Sequence, residues 1–338
     1  MPTHRRGFRW RTVEGAAHER PVESPAGTRP TLRRLLLAGW YLVLTAAQAA
    51  ALVAVWWVFV RTARGQAVDA IAFAGRELAI LDQIQGTVPD GVRSAVSGAL
   101  RTISITSIVA VICVLGFIAL VRRRIGLAVT ALVLIVGANL STQILKHRID
   151  RPELSVDPLH PDHNSLPSGH TTVAASIAAA AVFVLPPRVR GFAAVVGAAY
   201  AALVGVATLA EGWHRPSDVV AALLVVGAWS SFVAAVVVLT QRGECGSTAV
   251  HAYALTALLL AGFGLLTIAT LALGLTEQVS GLGVDAGGRR MFVAYAGSAA
   301  GITGTACMIL ALVVAMAPQI SDQFPDRSDA AEARVSPQ

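Results

Sequence analysis

Long apolar runs broken by short polar links set the pattern of this chain. Runs long enough to cross a bilayer as helices, about 20 residues each, extend over roughly Leu35 to Val60, Ile103 to Val121, Ile125 to Leu145, His170 to the Pro186-Pro187-Arg188 stop, Gly191 to Ala210, Pro216 to just before Gln241-Arg242, Ala249 to Leu275 and Met291 to Ala317. The pattern predicts an all-α, polytopic membrane helical bundle. It divides into a six-helix core over residues 35–242 and two additional C-terminal transmembrane helices over 243–317. Residues 1–34 read as a basic, flexible cytoplasmic tail, and 318–338 as a polar disordered tail. Trp40, Tyr41, Trp56 and Trp57 fall near the ends of the first run, where aromatic rings anchor at the interface. The polar stretch after it carries Ile71, Leu78, Leu81 and Ile84 at helical spacing. That spacing suits an amphipathic helix lying in the interface and, equally, a packed loop helix.

Composition agrees with a membrane protein. The 338 residues are 55% hydrophobic and 14% charged, against about 25% charged in a soluble globular chain. The net charge of +7 reads as topology. Its arginines sit in short links and the N-terminal tail without interleaved aromatics, so no nucleic-acid partner is expected. Arg122 to Arg124, Arg188, Arg190, Arg242 and the N-terminus share one side, which the positive-inside rule makes cytoplasmic; Arg61, Arg64, Arg289 and Arg290 oppose it. Cys113, Cys245 and Cys307 are too scattered for a disulfide framework and read as free thiols. No cleavable signal peptide is expected, because the first apolar run starts late and is long enough to span.

Chemistry concentrates at two links. Leu166-Pro167-Ser168-Gly169-His170-Thr171 stands where a polar loop gives way to an apolar run, and His214-Arg215-Pro216-Ser217-Asp218 opens another. A helix starting at either place points free N–H groups and its positive dipole end outward, which favours an anion such as phosphate. Gly169 lets backbone approach a ligand, Ser168 adds a hydroxyl, and His170 adds a group that moves protons near neutral pH. His170 and His214 lie 44 residues apart, two spans out and back, so they share a membrane face with Lys146 and Arg151. Metal-free cleavage of a phosphate ester needs a nucleophile, an acid for the leaving oxygen and donors for the phosphoryl charge. Two histidines, an Asp four residues after one of them, a Lys and several Arg supply that set. Asp218 at this spacing can hold one nitrogen of His214 and leave the other free to attack phosphorus.

These residues resemble the type 2 phosphatidic acid phosphatases, or lipid phosphate phosphatases, whose fold is shared with vanadium haloperoxidases. The family's Lys followed by Arg-Pro appears as Lys146 to Pro152, its Pro-Ser-Gly-His is intact as Pro167 to His170, and the second half of its third motif appears as His214 and Asp218. The resemblance covers about the second to the sixth span. It implies that His214 attacks phosphorus and forms a phosphohistidine, that Asp218 orients it, and that His170 protonates the leaving group. Lys146, Arg151, Ser168 and the Gly169 N–H would hold the phosphoryl oxygens. No metal and no cofactor is implied. Two departures stand out: four residues instead of six separate Lys146 from Arg151, and Ala207-Thr208 replaces the Ser-Arg that opens the third motif. Arg148 and Arg215 are the candidate substitutes for the missing Arg.

The resemblance therefore implies a multi-pass plasma-membrane phosphatase acting on a lipid phosphate or diphosphate, and the positive-inside rule puts its site on the extracytoplasmic face. Polyprenyl diphosphate, phosphatidic acid and phosphatidylglycerol phosphate are its candidate substrates. The alternatives are a phosphotransferase working through the same phosphohistidine and a non-catalytic lipid-phosphate binding or transport protein. The expected partners are the lipid substrate and the bilayer, and no oligomeric state is implied. Asp157, His160, Asp162 and His163 read as solvated loop residues in preference to a metal cluster. Asn139, Ser141, Thr142 and Gln143 are expected to hydrogen-bond neighbouring helices.

Overall fold

The computed structural model describes residues 32–78, 98, 125–156, 164–240, 251–280 and 288–321. Eight long helices fall among them: α1 (Leu32–Arg61), α2 (Ala63–Leu78), α3 (Ile125–Arg148), α4 (Gly169–Val184), α5 (Pro187–Ala210), α6 (Pro216–Thr240), α7 (Ala252–Ser280) and α8 (Gly288–Ser321). Six of them, α1, α3, α5, α6, α7 and α8, are long and apolar enough to span a bilayer. The chain is a multi-pass membrane protein. The expected fourth span, α4, has 16 residues, a rise of about 24 Å against about 30 Å of hydrocarbon. The expected span from Ile103 to Val121 lies outside the described residues, as do Arg122 to Arg124, residues 157–163, Cys113 and Cys245.

Helix α6 is the centre of the bundle, with α1, α3, α4 and α8 packed around it. Its sequence is apolar on every side, as a fully surrounded helix requires. Lipid tails are as apolar as Leu, so close van der Waals contact, more than water exclusion, holds such helices together. The sequence answers with small residues. Ala174, Ala175, Ala178 and Ala179 on α4 and Ala194, Ala198 and Ala201 on α5 are almost wholly buried. Polar side chains add interhelical bonds. Gln48 Nε2 donates to Ser231 Oγ at 2.9 Å, Asn139 Nδ2 to Ser176 Oγ at 3.2 Å and Trp229 Nε1 to Ser141 Oγ at 3.0 Å, while the Thr142 and Thr172 hydroxyls meet at 2.9 Å. Three of the four polar residues singled out near the end of α3 thus bond neighbouring helices.

The structure decides between the two expectations for the stretch after the first span. α2 is a packed helix. It turns sharply after Thr62 and seats Val68, Ile71, Ala72 and Phe73 in the interior, against α8 and α1. Two glycines permit this. A Cβ on Gly65 would collide with the Val58 carbonyl oxygen, and one on Gly75 would collide with that of Met291. Leu81 and Ile84 lie outside the described residues.

Three smaller expectations are corrected. Leu32 to Arg34 belong to α1 and not to the tail. α8 runs through Pro318 to Ser321, because a proline in the last turn removes one helical bond while Ala317 and Ile320 stay fully buried. Tyr41 is buried against the bundle and is not an interfacial anchor, whereas Trp40 and Trp57 are exposed.

Candidate active site

His214 sits in a link whose two ends are fixed by helix caps. α5 closes with Gly212 in the left-handed region at φ 72°. The Gly212 N–H donates to Leu209 O at 3.0 Å and the Trp213 N–H to Thr208 O at 3.0 Å, the bond pair of a Schellman stop. The His214 N–H adds a bond to the same Thr208 carbonyl at 3.3 Å. Two residues later α6 opens on Pro216, a residue suited to the first helical position. Asp218 Oδ2 then accepts the Arg215 N–H at 2.9 Å, in the manner of a capping box. Little freedom is left to the imidazole between these caps.

Ser168 caps α4 from the facing mouth. Its Oγ accepts from the Thr171 N–H at 3.4 Å and from the Thr171 hydroxyl at 3.1 Å. The Ser168 N–H donates to the Asp218 backbone carbonyl at 2.9 Å, which joins the two helix mouths directly. A Cβ on Gly169 would meet nothing nearer than Gln143 Nε2 at 3.8 Å. That is an ordinary van der Waals contact, so packing does not require the glycine.

The two histidines converge. Their ring centroids are 6.4 Å apart with planes inclined at 62°, and Trp213 stands 5.2 Å from the His170 ring. The two imidazoles are thus close enough for one substrate group to meet both, as attack by one and proton transfer from the other require. His214 Nδ1 is 3.5 Å from Asp218 Oδ2, long for a hydrogen bond and typical of a site that tightens when occupied. Ser165 Oγ donates to the same carboxylate oxygen at 2.5 Å.

The cations divide into three placements. Lys146 is half-buried near the end of α3, within electrostatic range of His170. Arg151 is buried, and its neighbour Pro152 offers its carbonyl to Gln66 Nε2 of α2 at 3.0 Å. Arg215 is buried too; its Nη1 donates to Ser165 Oγ at 3.4 Å and its guanidinium lies 5.9 Å from the Phe73 ring. Arg148 is exposed at the end of α3. Where the third motif has its Arg, Thr208 is fully buried and its hydroxyl donates to Gly205 O of its own helix at 2.8 Å.

Residues 126–242 match the family model described as the PAP2 superfamily. The chain carries a PAP2 superfamily domain. The match starts inside α3 and ends just past α6, so it takes in both helix mouths and leaves α1, α2, α7 and α8 outside. Comparison with curated proteins gave no match, and comparison with solved structures gave none.

Outside the PAP2 domain stands Asp69 of α2, which the sequence pattern did not single out. It is buried, and its carboxylate accepts the Ser217 N–H at 3.2 Å and the Ser217 hydroxyl at 2.6 Å. It thereby supplies α6 with an anionic cap from another element. Burial pushes this carboxyl up to about 6, repulsion from Asp218 adds to the rise, and Ser217, Arg151 and Arg215 hold it back. A lone carboxylate in the apolar stretch Val68 to Phe73 was its only signal in sequence. Ser165 gave none, because only the fold brings it to Asp218.

Proposed function

We propose that the protein is an integral-membrane phosphatase for a lipid phosphate or diphosphate. One observation carries the reading: the rings of His170 and His214, from different helix mouths, stand 6.4 Å apart, and Asp218 stands behind His214. In the first step the free nitrogen of His214 attacks phosphorus while Asp218 holds the other. The bond from phosphorus to the leaving oxygen breaks, and that oxygen takes a proton from His170. Water then attacks the phosphohistidine and returns a proton to His170; phosphate leaves and His214 is restored. Lys146, Arg151, the Gly169 N–H and the Ser168 hydroxyl proton stabilise the phosphoryl oxygens. Arg215 and Arg148 are the candidates to supply the positive charge of the Arg absent at Thr208. Residues 35–242 form the phosphatase unit in this reading, and 243–317 carry the two added transmembrane helices. The site opens on the extracytoplasmic face of the plasma membrane, where headgroups reach it while the tails stay in the bilayer.

The test is phosphate release from lipid phosphates by the purified full chain, with His214→Ala as the comparison. Loss of a nucleophile removes most of the rate, on the order of 10³-fold or more, together with any acid-labile phosphoenzyme. Release that persists unchanged in His214→Ala sinks the mechanism. Transfer of phosphate to an added alcohol identifies the phosphotransferase alternative. Saturable lipid-phosphate binding without turnover identifies the binding or transport alternative, for which the buried Thr208 speaks.

A further inference from the structure

A slot runs along the flank of the site helix α6, and none of its lining residues belongs to α4. It has a volume of about 180 Å³ and is bounded by Val55 and Phe59 of α1, Val68 and Asp69 of α2, the Pro216–Val220 turn of α6, and facing stretches of α7 and α8. Exposed Ile268, Leu271 and Leu275 on α7 mark the surroundings there as lipid.

The walls present carbon. Three of the four hydroxyl-bearing residues that line the slot are internally bonded: Thr270 donates to Thr267 O and Thr276 to Ala272 O, both at 2.8 Å, and Ser217 donates to Asp69; Ser298 is the fourth. A polar headgroup would find no free donor among those three, whereas a hydrocarbon chain displaces nothing that needs water. Along α7 the lining runs from Leu266 to Thr276, about 15 Å at helical rise. That is half of the ~30 Å hydrocarbon thickness, the depth of one leaflet. Pro216 and Ser217 belong to the lining, next to the His214-Arg215 link. The slot therefore descends into the leaflet on whose surface the two histidines meet.

We propose that this slot seats one hydrocarbon chain of the lipid substrate, so that α7 and α8, beyond the PAP2 domain, make the protein selective for chain length. The proposal rests on the lipid-phosphatase reading for its substrate, and its test separates the two. Ser298→Phe, from a half-buried position in the wall, fills the slot; Thr270→Phe fills it from α7 if the first variant does not fold. The measured quantity is the ratio of kcat/KM for a dioleoyl lipid phosphate to that for its dibutanoyl analogue. Filling an apolar pocket lowers this ratio about tenfold or more. In parallel, a lipid phosphate carrying a mid-chain diazirine is cross-linked to the full chain in bilayer nanodiscs and the adducts are mapped. Adducts on Ala269, Leu273 or Ser298 of the unsubstituted chain that vanish in the filled variant support the slot. An unchanged ratio, or adducts confined to other helices, overturns it. If no phosphate is released from either substrate the phosphatase reading fails, and the adduct map still decides the slot.

Discussion

Replacing Asp69 by Asn tests whether a carboxylate behind the site carries the electrostatic cost that its burial dictates. The carboxyl rises from 3.8 to about 6 in the fold, which corresponds to about 3 kcal/mol between its protonation states. The sign follows from proton counting. Between about pH 4 and pH 6 the unfolded carboxyl ionises while the native one keeps its proton, so the native state binds more protons and its stability falls as pH rises. Below that window the contribution is fully present; above about pH 6 it is lost and the curve from this group is flat. The amide of the Asp69→Asn variant has no proton to lose. Subtracting the two proteins removes every other titration, provided the substitution leaves its neighbours alone. The assay is the free energy of unfolding in mixed detergent micelles from about pH 4 to pH 8. The wild type should lose about 2 kcal/mol relative to Asp69→Asn across the window and almost nothing further above about pH 7. A difference that stays flat, or one that grows in favour of the wild type with rising pH, refutes the argument that desolvation and Asp218 outweigh Arg151, Arg215 and Ser217.

Two further outcomes follow from the geometry. Ser165→Ala removes the 2.5 Å donor to Asp218; a hydrogen bond to a charged group is worth about 1.5–3 kcal/mol. If Asp218 acts by orienting His214, kcat for phosphate release should fall about tenfold or more with KM little changed, and a change confined to KM would count against that role. Gly65→Ala drives a Cβ into the Val58 backbone oxygen, so the α1–α2 corner must open. Overpacking of this kind costs about 1–3 kcal/mol, read as a lower unfolding midpoint in detergent; a midpoint at the wild-type value would show that the corner yields freely.

The local order of this chain determined a good deal. Uninterrupted apolar stretches have one solution in a bilayer, a helix that satisfies its own backbone, so the six long helices were legible as runs of Leu, Val, Ala and Ile. Both mouths were legible as well: Pro216 and Asp218 open one helix and the Pro167 to His170 stretch opens another, by their own chemistry. Spacing alone placed His170 and His214 on a common face.

Only the tertiary structure decided how that face is built. The stretch from Ala63 to Leu78 suited an interfacial or a packed helix equally, because its apolar residues satisfy either environment; close approach at Gly65 and Gly75 resolves it. Asp69 and Ser165 reach Ser217 and Asp218 across 148 and 53 residues, and no periodicity encodes a hydrogen bond of that range. The distance between the imidazoles belongs to the same class. Helix periodicity fixes which residues share an element, whereas the separation of two rings depends on how α4 closes on α5 and α6. Side-chain volume at buried alanines governs that closure, and it acts only once the helices meet.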